Sequence, residues 1–161
     1  MRKITLTNYQ QDRYYARIVK ATEDLLREKG FVAPIELFTR MDLLSPASVE
    51  DWRRGRIPYL ERAIQCNLSK ANRTLRILRM HAHDLDLKPV CTVYKRWTKG
   101  PRTLLQFSKT GDRAVEEAYA RTFFLHKNTE RRFVSASVKK QRSFPSGSRE
   151  AIEETSLRPC L

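Results

Sequence analysis

Residues 35–64 read IELFTRMDLLSPASVEDWRRGRIPYLERAI, and this stretch decides how the rest of the chain is interpreted. A short amphipathic segment begins at Ile35, a turn follows, and Ser45-Pro46 opens a second short helix. Serine is a common N-cap, and proline fits the first helical turn. Gly55 suits the position after the last helical residue, because glycine adopts a positive φ without a Cβ clash. The pattern predicts two short helices joined by a turn.

The side chains of the second helix indicate what it could bind. Val49 and Trp52 supply an apolar inner edge, while Ser45 and Ser48 lie near the N-terminus, where short polar groups can face a DNA groove. Three arginines follow at the helix exit, where they can fix phosphates: Arg53, Arg54 and Arg56. The same pattern has an alternative interpretation, a helical bundle with Trp52 in its core.

The spacing Val49-x-x-Trp52-x-x-Gly55-x-x-Pro58-x-Leu60 resembles the helix-turn-helix of the Cro and phage-repressor family. Ile35-Glu36-Leu37-Phe38 resembles the second helix of that family. The resemblance covers about residues 14–64. It implies that the helix beginning at Ser45 enters the major groove of duplex DNA.

Composition points to a polyanionic partner. The chain has 161 residues, with 32 Lys and Arg against 18 Asp and Glu, a formal net charge of +14 and 40% hydrophobic residues. This length favours one domain of average size with a sizeable core. Such an excess of positive charge attracts nucleic acid by releasing condensed counterions. Because no apolar run approaches 18 residues, we expect no membrane partner.

The cysteines indicate the compartment. Cys66, Cys91 and Cys160 are far apart and odd in number, and no C-x-x-C occurs. This arrangement favours neither a zinc ribbon nor a disulfide framework. Reduced thiols are typical of the cytoplasm, so we expect a cytoplasmic protein.

Periodicity outlines the remaining elements. A helix is predicted from a cap at Thr7-Asn8 to Lys29, another begins at Pro58, a long one runs from Ser69 toward Pro89, and a last one spans Asp112 to Phe124. Between the last two, TVYKRW and TLLQFS alternate around the loop TKGPR, which predicts a β-hairpin near 92–108. Four cations cluster at its tip and could form an accessory DNA contact: Lys95, Arg96, Lys99 and Arg102.

The fold class expected from these patterns is mainly α. Residues 1–124 would form a helical domain with a helix-turn-helix and a small β-hairpin. Residues 125–161, rich in Ser, Lys and Arg and without periodicity, would form a flexible, disordered basic tail.

Catalytic motifs do not compete with the binding interpretation. The sequence contains no G-x-S-x-G, P-loop or G-x-G-x-x-G pattern. His81 and Asp84 share one helix face while His83 and Asp86 share another, so these four do not converge on a metal. We therefore expect no enzyme, no catalytic residue, no metal and no cofactor.

The function that the sequence favours is sequence-specific binding of duplex DNA, as in transcription regulation. Two alternatives stay open. The basic, aromatic hairpin would suit a module that binds single-stranded RNA through Tyr94 and Trp97. A helical protein-interaction domain would use its charge without binding nucleic acid. The oligomeric state is not specified by the sequence.

Overall fold

The computed structural model describes residues 3–126, and these form a helical core with a small sheet. The five α-helices and three strands are α1 (Tyr15–Lys29), β1 (Phe31–Val32), α2 (Pro34–Arg40), α3 (Pro46–Arg53), α4 (Leu68–Asp84), β2 (Lys88–Cys91), α5 (Arg113–Ala120) and β3 (Arg121–Phe124). Single 3-10 turns lie at Tyr9–Gln11 and Leu60–Arg62. The predicted mainly α class is confirmed at this level. No helix among residues 3–126 is long and apolar enough to cross a membrane.

The core is built where the apolar faces of α1, α2 and α4 meet. Helix α1 contacts both α2 and α4, and α2 also contacts α5. Ile18, Leu25 and Leu26 recur on the buried face of α1, with spacing that places them on one side of the helix. Gly30 ends α1 in the left-handed conformation, at φ 75°, and its N–H donates to the oxygen of Leu26. The chain can then turn directly into β1.

The sheet has the order β1-β3-β2, and both pairings are antiparallel. Val32 of β1 lies opposite Phe123 of β3, and Pro89 of β2 lies opposite the same residue from the other side. Strand β2 is an edge strand, which accommodates Pro89 because an edge can lack one N–H donor. Strand β3, which comes last among the strands of residues 3–126, therefore lies between β1 and β2.

Several predicted boundaries are wrong. Helix α1 begins at Tyr15, because the side chain of Asn8 binds the N–H of Thr5 and the oxygen of Lys3 instead of capping a helix. The helix expected from Pro58 is only the 3-10 turn at Leu60–Arg62. Helix α4 is capped by Asn67, whose side chain accepts from the N–H of Lys70, and not by Ser69.

The last predicted helix is also too long, since it ends at Ala120 and continues as β3. A spacing of four residues, typical of a helix, continues from α5 into β3 through Val115, Tyr119 and Phe123. This spacing explains why a single helix was predicted. The predicted hairpin is present as one antiparallel bridge between Lys95 and Leu104 with two backbone hydrogen bonds, and not as two strands. The tail predicted for residues 125–161 lies outside the described residues from 127 onward.

Candidate functional site

Ser45 and Ser48, predicted to face a DNA groove, hold the N-terminus of α3 together. The Ser45 oxygen accepts from the N–H of Ser48 at 3.1 Å, and the two hydroxyl oxygens are 2.8 Å apart. Ser45 has extended backbone angles and Pro46 occupies the first turn, as expected for a capped helix. Both hydroxyls therefore have partners within the helix cap.

The C-terminus of α3 ends in a Schellman motif. Gly55 has a φ of 76°, its N–H donates to the Trp52 oxygen, and the N–H of Arg56 donates to the Asp51 oxygen. Two of the three arginines at this end are paired with carboxylates of the same helix. Arg56 binds Asp51 at 2.9 Å, and Arg54 binds Glu50. These pairs neutralise part of the charge that the sequence suggested was available to phosphate.

Arg53 lies against aromatic rings. Its guanidinium carbon is 4.5 Å from the ring centre of Tyr94, 5.5 Å from that of Trp97 and 5.7 Å from that of Trp52. Partial burial lowers the pKa of Arg53 from its usual value. Cation–π contacts of this kind stabilise a guanidinium without an anion. Arg53 thus joins α3 to the segment that carries Tyr94 and Trp97.

The bridged segment 92–108 covers the end of α3. The N–H of Trp97 donates to the Arg53 oxygen at 2.7 Å, and Nε of Arg96 donates to the Arg54 oxygen at 3.0 Å. Trp52 is fully buried and donates from Nε1 to the Gln106 oxygen at 2.8 Å. Arg96 therefore lies beside the arginines at the C-terminal end of α3. Three other cations of this segment are exposed and take no part in these bonds: Lys95, Lys99 and Arg102.

A carboxylate of α5 fixes the far end of the same segment, and sequence reasoning missed it. Glu116 accepts hydrogen bonds from the N–H of Phe107 at 2.9 Å and from both the N–H and the hydroxyl of Ser108 at 2.7 Å. Buried Tyr119 donates to Glu61, and burial raises the pKa of Tyr119. The available signal was the pair Glu116-Glu117 within α5, and it indicates neither which glutamate is bonded nor its partners.

The histidines of α4 are separated by burial. His81 is buried edge-on to Tyr15, with ring centres 6.0 Å apart, and burial lowers the pKa of His81. His83 is exposed and 3.6 Å from Asp84. Residues 3–126 contain no group of three or more His, Cys, Asp or Glu side chains placed to hold a metal ion.

An exposed apolar edge lies beside the bridged segment, and sequence reasoning missed this as well. All four side chains of β2 are exposed, and no other strand among residues 3–126 pairs with its outer side. Val93 is 66% exposed, Leu104 is 71% exposed, and both line an open groove of about 470 Å³ against α5. Val90 adds to the exposed apolar surface at 40%. We call Val90, Val93 and Leu104 the apolar edge. The alternation of TVYKRW could have revealed it, because Val93 must point away from buried Tyr94.

Comparison with known proteins corrects the functional interpretation. A family model described as the N-terminal part of the nitrile hydratase beta subunit matches residues 1–66. No curated protein and no solved structure matches the chain. The predicted Cro-type helix-turn-helix is wrong, since the matched family spans α1, α2 and α3 together. The physical reason for this error is that segment 92–108 covers the end of α3. The short sequence motif gives no sign of that contact.

The same match overturns the predictions of duplex DNA binding and transcription regulation. The two alternatives, an RNA-binding module and a helical protein-interaction domain, have no better support. The match also overturns DNA as the predicted partner, because the matching family is part of an enzyme subunit. The match also conflicts with the expectation that the chain has no part in an enzyme. In its first 66 residues, the chain is similar to the N-terminal part of a nitrile hydratase beta subunit.

Proposed function

We propose that this chain is a beta-type subunit of an enzyme of the nitrile hydratase kind, and that its role is to assemble with an alpha subunit. The observation that carries the proposal is the family match over residues 1–66, which includes α1, α2 and α3. A nitrile hydratase, by its name, adds one water molecule to the carbon–nitrogen triple bond of a nitrile and yields an amide. The proposal assigns this chain the binding of the partner subunit.

The apolar edge supports an assembling role. Val93 and Leu104 are largely exposed and line one groove, and exposed apolar side chains that share a surface often mark a protein contact. Because Pro89 leaves the outer side of β2 without one N–H donor, the contact would rest mainly on apolar side chains and less on backbone pairing. Val93 and Leu104 would then bury their side chains in the contact.

Exposed cations flank this edge and would form its polar rim. Lys95 and Leu104 are bridge partners, so a charged and an apolar side chain stand side by side. Interfaces commonly have an apolar centre with a polar, solvated rim. Lys99 and Arg102 would extend the rim. A cytoplasmic location, expected from the scattered cysteines, belongs to the same proposal.

Co-expression with a nitrile hydratase alpha subunit tests the proposal. Native mass spectrometry should detect a complex of the two chains, and the double change Val93→Asp with Leu104→Asp should weaken it by at least about tenfold, since interface centres tolerate few charges. Leu68→Asp is the matched control, because Leu68 is also exposed but belongs to the first turn of α4.

Amide formation from a nitrile is the second measurement, with each chain alone and with the two chains together. We expect the purified complex to form the amide and the isolated chain to form none. Failure of the two chains to associate at micromolar concentration would contradict the proposal. Equal weakening by the edge variant and by Leu68→Asp would locate the contact elsewhere and overturn the role of the apolar edge.

A further inference from the structure

A second groove runs between α4 and α5, on a surface distinct from the apolar edge. Its volume is about 420 Å³. Leu75 and Leu78 of α4, Val115 of α5 and Phe123 of β3 supply its apolar lining. Leu78 and Phe123 belong to the buried core, so the floor is rigidly supported. The groove therefore offers a fixed apolar surface and not a gap between mobile side chains.

One wall of this groove carries positive charge without matching anions. Arg76 and Arg79 are exposed on α4 and line the groove. Residues three apart are neighbours on a helix surface, so the two guanidinium groups form one cationic strip. Within residues 3–126, neither of them makes a hydrogen bond or an ion pair. On the opposite wall, Arg121 is paired with Glu117.

The dimensions of the groove admit a short helix. Along α4 the groove extends over two turns, from Asn72 to Arg79, which is about 10–12 Å at 1.5 Å per residue. The groove is partly open to solvent, so an occupant would keep one side exposed, as a helix lying in a groove does. Ala114 and Ala118 line the α5 wall four residues apart, and their small side chains allow a backbone to approach closely.

We propose that the groove between α4 and α5 binds a short, acidic, amphipathic helix of a partner protein. Apolar anchors spaced by three or four residues would pack on Leu75, Leu78 and Phe123. Aspartate or glutamate side chains beside the anchors would pair with Arg76 and Arg79 through charge-assisted hydrogen bonds. This inference does not rest on the proposed subunit role, because the groove is separate from the apolar edge and requires no hydratase partner.

Fluorescence anisotropy with the full-length chain tests the groove. The probe is a labelled peptide of about 14 residues, four helical turns, with leucines on one face and glutamates flanking them. A peptide of the same composition, shuffled so that no apolar face forms, is the control ligand. We expect the amphipathic peptide to bind at least about tenfold more tightly than the shuffled one. Because both peptides have equal charge, this difference in affinity would come from the apolar face.

Variants locate the binding. Arg76→Glu with Arg79→Glu should weaken binding by at least about tenfold. Ala118→Trp should do the same by filling the groove without changing the charge. The matched control, Arg62→Glu with Lys109→Glu, changes the net charge equally at exposed positions outside the groove.

Three results would overturn the inference: no measurable binding of the amphipathic peptide, equal binding of the shuffled peptide, or equal weakening by the two charge-reversal pairs. The last two would indicate general charge attraction. Circular dichroism of each variant verifies that it folds. Because the assay contains no alpha subunit, its outcome is independent of the test of the subunit role.

Discussion

At the scale of single residues, two tryptophans near the end of α3 differ in burial and should differ in their contribution to the free energy of unfolding. Trp52 is fully buried against Tyr94 and Phe107, whereas Trp97 is 58% exposed. We expect Trp52→Ala to lower the free energy of unfolding by about 3–5 kcal/mol. Trp97→Ala should cost about 1 kcal/mol or less, because it loses mainly a cation–π contact with Arg53. Urea unfolding of both variants measures this, and similar costs would contradict the assigned burial.

Substitutions at Gly55 and Gly30 allow the stability cost of backbone strain to be distinguished from that of side-chain crowding. Both have a positive φ, but a Cβ at Gly55 would overlap the guanidinium group of Arg96, whereas a Cβ at Gly30 would have nothing within 4 Å. Gly30→Ala should cost about 1–2 kcal/mol from the left-handed backbone alone. Gly55→Ala should cost more, and Arg96→Ala should remove the excess in a double-mutant cycle. An excess that persists without Arg96 would contradict this explanation.

His81 should make stability depend on pH. Burial lowers the pKa of His81 below its usual 6.5, and the nearby carboxylates of Glu23 and Asp84 oppose the shift only in part. The unfolded chain therefore binds a proton at a higher pH than the folded chain does. The contribution to stability is complete above about pH 6.5 and is lost as pH falls through and below that value. The decrease from pH ~7 to ~5 should be smaller in His81→Gln, and equal decreases would exclude His81 as the cause.

Local sequence predicts local roles at this scale. Ser45 as a cap and Gly55 as the residue after α3 follow from backbone preferences, and the structure confirms both positions. The surroundings of Arg53 could not be predicted, because Tyr94 and Trp97 come from about 40 positions further along the chain. A cation next to a tryptophan in sequence is equally compatible with solvent, phosphate or an aromatic contact.

At the scale of elements, Glu116 is the residue that attaches a loop to α5. Its carboxylate accepts from two backbone N–H groups and one hydroxyl, which Glu116→Ala would leave without their acceptor. We expect a cost of more than about 2 kcal/mol, together with faster amide exchange at Phe107 and Ser108. Glu117→Ala, which removes an exposed ion pair with Arg121, should cost less than about 1 kcal/mol. The reverse order of costs would show that the loop is held by other contacts.

Element type was easier to predict than element ends. The four-residue spacing of α1 and α4 indicates helices correctly, because each buries one continuous face. The boundary between α5 and β3 was hidden, since Phe123 continues the same spacing while pairing with Val32 and Pro89. Strands of two to four residues take their identity from distant partners, and a single sequence does not display those partners.

At the scale of the whole molecule, the matched region should not fold by itself. Helix α1 packs on α4, β1 pairs with β3, and the indole of Trp52 binds Gln106, so residues 1–66 depend on contacts with residues 67–126. A fragment of residues 1–66 should lack cooperative thermal unfolding, whereas a chain ending at His126 should keep it. Circular dichroism measures both. Cooperative melting of the shorter fragment would identify an independent domain.

Net charge was the least informative global property. A formal charge of +14 favoured nucleic acid, but charge describes the class of attraction and not the partner. Some of the cations also have carboxylate partners within the fold, as the pairs of Arg40 with Glu28, Arg73 with Asp12, and Arg54 with Glu50 illustrate. The identity of a partner resides in the shape of surfaces such as the apolar edge, which appear only after folding.

The strand order β1-β3-β2 has a consequence for how the chain is made. The central strand is the last to be synthesised, so β1 and β2 leave the ribosome without the neighbour that pairs with both. Closing such long loops is entropically costly and slow compared with forming α1 or α4. The helices can form during translation, but the sheet must wait until Phe124 has emerged. Throughout that interval, two unpaired strands are exposed to chaperones and to neighbouring nascent chains.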